Sequence, residues 1–156
     1  MGSSKGGRNE AGLLARSLAL GLASGMRSSL GFGVPGLRGV RESGFTPATT
    51  IRALGIGGEL IVDKLPKTPS RLAPPGLAAR FLSGAAGALQ LASHAGAAPT
   101  SRVAAVVIGV AGAAGGAYGG AAWRRAAASS GGGRPDWQGA VLEDAVALKL
   151  AFAASR

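Results

Sequence analysis

The run Arg80-FLSGAAGALQLASHAGAAPTS-Arg102-VAAVVIGVAGAAGGAYGGAAW-Arg124 decides how this chain is read. Each arginine is separated from the next by 21 residues without formal charge. A membrane-crossing helix needs about 20 predominantly apolar residues. Two such windows, back to back and bounded by arginine, predict a pair of spanning helices. Pro99 falls in the short joint between them and is suited to ending the first.

The composition around this run points the same way. The chain has 156 residues, the size of one domain, and Ala and Gly make up about two-fifths of it. Only 15% of residues are charged and 4% aromatic. A water-soluble core of alanine would bury little apolar area per residue. In a bilayer, small residues instead let helix backbones approach closely. Alanine and glycine insert less readily than leucine or isoleucine, so the hydropathy of these segments is modest. There are no cysteines, which excludes disulfides and thiolate chemistry.

The net charge of +10 has three readings: a nucleic-acid surface, a solvated basic face, or cations marking membrane loops. Nucleic-acid binding favours cations clustered on one face with stacking aromatics. Here they punctuate apolar runs, as expected for the cytoplasmic loops of a membrane protein. No nucleic-acid partner is expected.

Reading outward, a first helix is expected over residues 11–32 and carries Arg16 and Arg27. Residues 31–46, broken by Gly and Pro35, read as a loop. A second helix is expected over 47–65, with Pro47 in its first turn. KTPSRLAPPG (67–76) and SSGGGRP (129–135) are connections, and a last helix is expected over 136–154. Whether that helix spans, re-enters or lies on the surface is left open by its period. Residues 1–10 read as a disordered basic tail and 11–156 as a single membrane helical domain. The start resembles a signal peptide, with small residues Ala23 and Gly25, but the helix is expected to be retained. Gly6 occupies the place where N-myristoylation wants Ser or Thr.

Counting Lys and Arg near the helix ends places the N-terminus inside. The inner segments then hold Lys5, Arg8, Lys64, Lys67, Arg71, Arg80, Arg124, Arg125 and Arg134. The outer ones hold Arg38, Arg41, Arg102 and, if the last helix spans, Arg156. Trp123 fits an interfacial anchor at the inner end of the fourth helix. In this arrangement Glu59, Asp63, Arg80, Glu143 and Asp144 converge on one membrane face.

Several residues carry candidate chemistry. Glu59 and Asp63, four apart, share one helix face. The plainest reading is an ion pair locking helices two and three; a bound or transported cation and a catalytic carboxylate are the alternatives. Lys64 snorkels to the interface on its plainest reading. Arg27, inside an apolar helix, should face the bundle interior and find an acid, with Glu59 the expected partner. Glu143 and Asp144 read first as solvated dipole partners near a helix start. With Glu59 and Asp63 they form the one conceivable carboxylate metal site. Gly112, Gly115, Gly116, Gly119 and Gly120 overlap as G-x-x-x-G spacings that serve close packing, within one protomer or between protomers. His94, the only histidine, reads as a hydrogen-bonded packing residue. Gly31-x-Gly33-x-x-Gly36 mimics a dinucleotide fingerprint, but no strand precedes it and Pro35 interrupts it.

These residues also carry a family resemblance. Gly25-x-Arg27-Ser28, GELIVDKLPKTPSR at 58–71, Arg80 followed by SGAAGA at 83–88, and Leu142-Glu143-Asp144 resemble the domain-of-unknown-function 4126 family. These are small bacterial integral membrane proteins without an assigned activity. The similarity covers roughly residues 12–152, and its specific part is E-x-x-x-D-K-x-P-x-x-P-S-R. It implies a retained multi-helix domain in the bacterial inner membrane and brings no substrate, cofactor or catalytic residue.

The expectation is therefore an all-α, multi-pass transmembrane bundle of four to five Ala/Gly-rich helices, homo-oligomeric through the glycine-rich helix. The leading function is a small transporter or channel-like protein for an ion or small solute. Its charged cluster comprises Arg27, Glu59, Asp63, Lys64, Arg71, Arg80, Glu143 and Asp144. The alternatives are a non-catalytic scaffold or accessory subunit in contact with the lipid bilayer and, more weakly, a metal-dependent enzyme of lipid head groups. No organic cofactor is expected.

Overall fold

The chain begins as a helix, and proline then sets the starts of three later ones. In a computed structural model, residues 3–37, 44, 46–62, 73–129 and 136–156 are described. They form α1 (Ser3–Met26), α2 (Ser28–Gly33), a 3-10 turn (Pro35–Leu37), α3 (Pro47–Val62), α4 (Pro74–His94), α5 (Pro99–Ser129) and α6 (Asp136–Ala154). Pro47, Pro74 and Pro99 each open a helix, where the missing N–H costs nothing. Pro99 thus starts α5 rather than ending α4. Gly96, at φ 62°, ends α4: its N–H donates to the Ser93 carbonyl and that of Ala97 to Ala92, satisfying carbonyls at the helix end.

The fold is an all-α bundle of six packed helices among the described residues. Among the described residues only α5, over Pro99–Ala126 at a mean hydropathy of 1.6, is long and apolar enough to cross a membrane. The neighbouring α4 falls short of that measure because every 18-residue window in it contains Arg80, and Ser83 and Gln90 dilute its leucines further. α1 also starts earlier than expected, at Ser3, so most of the stretch read as a tail is helical. The last helix has the expected bounds.

The expected first helix divides at Arg27. Its backbone is extended (φ −142°, ψ 113°), and α2 leaves in a new direction. Leu20 of α1 and Gly31 of α2 both lie against Gly87 of α4, so α2 folds back along the bundle beside α1. α3 then runs antiparallel to α2, with Gly33 on Ile56 and Gly36 on Arg52.

This reversal changes the sense of every later helix relative to the N-terminus. α1 and α5 are parallel: Ser101 at the start of α5 donates to Glu10 (2.7 Å), and further along Gly25 meets Ala117. α6 runs antiparallel to α1, pairing Asp144 with Arg27 and the carbonyl of Arg156 with Arg16 (3.5 Å). The N-terminus therefore sits at the Arg102 end, opposite Arg80, Arg124, Glu143 and Asp144. The charge count instead puts it with them, because it takes residues 31–46 as the first reversal.

α1 is the central helix, packed most extensively on α5 and also on α4, α6 and α2. Glycine makes the α1–α5 contact possible. A methyl at Gly112 would come within 2.6 Å of the Leu18 carbonyl oxygen, and one at Gly116 within 3.0 Å of the Leu22 carbonyl carbon. Gly84 and Gly109 bring α4 and α5 together in the same way, at 2.7–2.8 Å. The remaining core is small or aliphatic: Leu13, Leu20, Ala23, Leu30, Leu91, Ala147 and Ala151.

Candidate functional site

Four buried charges gather at one end of the bundle. Arg27, at the α1–α2 break, is 1% exposed. Its Nε donates to Asp144 Oδ1 at 2.7 Å, and its Nη2 also reaches that oxygen. α6 supplies Asp144 and its neighbour Glu143, which point to different helices. Glu143 Oε2 accepts from Arg124 Nε of α5 at 2.9 Å. Gly120, one turn before Arg124, leaves room for that carboxylate: a methyl there would lie 2.9 Å from Glu143 Oε1.

Arg80 approaches the same end from α4. It is buried, its Nε donates to the Gly25 carbonyl (2.9 Å), and its Nη1 donates to the Gly76 carbonyl (3.1 Å). In return, Ser24 Oγ donates to the Arg80 carbonyl at 2.8 Å. The last turn of a helix has carbonyls without an intrahelical donor, and Arg80 supplies one where α1 stops. Breaking α1 at Arg27 thus exposes a carbonyl that a second buried guanidinium takes up. Charges out of water are costly unless paired and hydrogen-bonded, and each of these four is bonded.

Arg27, Arg80, Glu143 and Asp144 lie at one end of the bundle. Glu143 and Asp144 are buried and paired with arginines, not solvated at a helix start. The partner described for Arg27 is Asp144; the side chain of Glu59 lies outside the described residues, as do Asp63, Lys64, Lys67 and Arg71. Among the described residues, no group of three His, Cys, Asp or Glu could hold a metal ion. His94 lies at the far end of α4, exposed, with Nδ1 2.7 Å from the Gln90 carbonyl oxygen.

The five glycines of α5 divide by face. Gly112 and Gly116 meet α1, Gly120 meets Glu143, Gly115 only touches Leu22 (3.4 Å), and Gly119 meets nothing within 4 Å. Arg124 enters the sequence reading only as a loop cation and Ser83 only within SGAAGA, and Ser24 carries no signal there. Ser83 Oγ accepts the Phe32 N–H at 3.2 Å and so ties α2 to α4.

The outer surface is the reverse of this interior. Ile51 and Leu82 are 70% and 71% exposed, and Val103, Val107, Trp123, Leu142 and Phe152 are also exposed. No protein-family model, curated protein or solved structure matches the chain.

Proposed function

We propose that this is a multi-pass integral membrane protein of the bacterial inner membrane. Its reversed helix and charged centre would handle an ion or small solute, in the manner of a small transporter. The observation that carries the membrane reading is the inverted distribution of side chains. Arg27, Arg80, Glu143 and Asp144 are buried among Ser, Ala and Gly, while Ile51, Leu54, Leu82, Val103, Val107 and Phe152 are exposed. A contiguous apolar exterior is unfavourable in water. In lipid it is the expected solvent-facing surface, and buried ionisable groups there face the bundle interior.

The reading as a transporter rests on the α1–α2 break. Interrupted backbone at membrane depth is tolerated where protein or a polar cavity satisfies it. Sites of secondary transporters are commonly built from such interrupted helices. Here Arg27, Asp144, Arg80 and the Gly25 carbonyl meet at the interruption. The resemblance of residues 58–71 to the domain-of-unknown-function 4126 family forms part of the same proposal, as does self-association through α5. A second reading, a scaffold whose charges only lock helices, is favoured by the direct pairing of Arg27 with Asp144 and Arg124 with Glu143.

Alkaline carbonate is expected to leave the protein in the membrane pellet; clean release would refute the membrane reading. In proteoliposomes screened with small ions, Asp144→Asn should abolish a flux seen with the unmodified chain while the helical content persists at the assay temperature, although the melting temperature falls. Unaltered flux would remove the charged centre from transport. A variant that only lowers accumulation, with no flux in either protein, supports the scaffold.

A further inference from the structure

α3 carries a cation that the charged centre does not use. The guanidinium of Arg52 lies over Gly36, close enough that any side chain at Gly36 would collide with it. It has no acid or carbonyl partner among the described residues. Its neighbours on the helix, Ile51 and Leu54, are both about 70% exposed, so this charge interrupts an otherwise apolar outward face.

One turn along α3 from Arg52 lies Gly55, on the same helix face. Gly55 borders a groove of about 430 Å³ between α2, α3 and α4. Phe32, Leu82 and Ala86 form its apolar sides, and Ser28 and Ser83 lie along it. Gly55 has no side chain and no atom near its absent Cβ, which keeps the groove open between α3 and α4. The groove opens outward, beside the exposed Leu82 and Phe32.

We infer that this groove binds one acyl chain of an anionic phospholipid whose phosphate pairs with Arg52. The inference rests on the membrane reading given above. Charge selects the occupant. A guanidinium donates two parallel hydrogen bonds to a phosphate, and Arg52 is partly exposed beside apolar neighbours, where it can reach one. An acyl chain suits the groove because its lining is apolar and includes a glycine that leaves a slot. A zwitterionic lipid would fill the groove but offer Arg52 no net negative charge.

The full-length protein, purified in detergent, is titrated with phosphatidylglycerol and separately with phosphatidylcholine, and bound lipid is counted by native mass spectrometry. Wild-type protein is expected to retain phosphatidylglycerol preferentially. Arg52→Gln should reduce that retention roughly fivefold, the scale of one cation at an anionic lipid surface, and affect phosphatidylcholine less, because its choline cation offsets the same phosphate. Arg52→Lys should restore most of it. Ala86→Trp, which plugs the groove at an exposed position, should reduce both lipids. Equal retention of the two lipids by wild type, or lipid binding unchanged in both Arg52→Gln and Ala86→Trp, would overturn the inference. So would displacement of the bound lipid by inorganic phosphate alone, or loss of a dimer in Ala86→Trp, which would assign the groove to a second copy of the chain. Carbonate extraction separates the two failures: a protein that stays in the pellet but shows no lipid preference loses this site alone.

Discussion

Removing the carboxylate of Asp144 takes an acid partner from the Arg27 guanidinium in the bundle interior. Breaking one side of a buried pair costs about 3–5 kcal/mol, most of it from the uncompensated charge. Asp144→Ala should therefore lower thermal stability in detergent far more than Glu143→Ala, whose partner Arg124 has a partly exposed guanidinium. The double variant Arg27→Met/Asp144→Leu should recover much of the loss, because replacing both charges by apolar groups removes the desolvation cost. If the double variant is as unstable as Asp144→Ala, the pair is not an isolated unit. The sequence already marked Arg27, Arg80, Glu143 and Asp144, since charge in an apolar helix requires a reason. It did not mark who pairs with whom. Pairing depends on which helices are adjacent, and Arg27 and Asp144 are brought together from opposite ends of the chain.

At the scale of the element, glycine position decides what an identical substitution does. Gly116 and Gly119 sit on one helix, in one motif, and read alike in sequence. A methyl at Gly116 collides with the Leu22 backbone, whereas Gly119 has open space. Gly116→Ala should cost about 1–3 kcal/mol through forced separation of α1 and α5. Gly119→Ala should be neutral or stabilising, because alanine is the better helix former by about 1 kcal/mol. Equal melting shifts for the two would contradict the α1–α5 contact. The division of the first helix was less legible. Neither proline nor glycine occupies position 27, and the apolar pattern continues past it from Leu20 to Phe32. Its reversal depends on contacts far along the chain: Arg80 on Gly25, Gly87 on Gly31, and Ser83 on Phe32.

At the scale of the whole molecule, the parallel course of α1 and α5 has a direct test. The chain lacks cysteine, so single cysteines report cleanly. Ser101→Cys should label from the same side as an N-terminal tag, and Ser129→Cys from the opposite side, with a membrane-impermeant maleimide on sealed vesicles. Labelling of Ser129→Cys from the side of the tag would restore the simple up-and-down order. The charge rule no longer selects an orientation by itself. Lys5, Arg8 and Arg102 lie towards one end, while Arg80, Arg124 and Arg125 lie towards the other.

The sequence by itself determined the helical class, the start of α3 at Pro47, the apolar reach of α5 and the residues that would need burial partners. These follow from local propensity, spacing and the cost of charge, which neighbours in the chain are enough to express. Only the tertiary structure decided that the first helix reverses at Arg27, that Asp144 is its partner, that Gly112 and Gly116 face α1, and that Arg52 stands beside an open groove. Each of those depends on distant segments meeting, and two glycines or two arginines with similar local surroundings become different only through what packs against them.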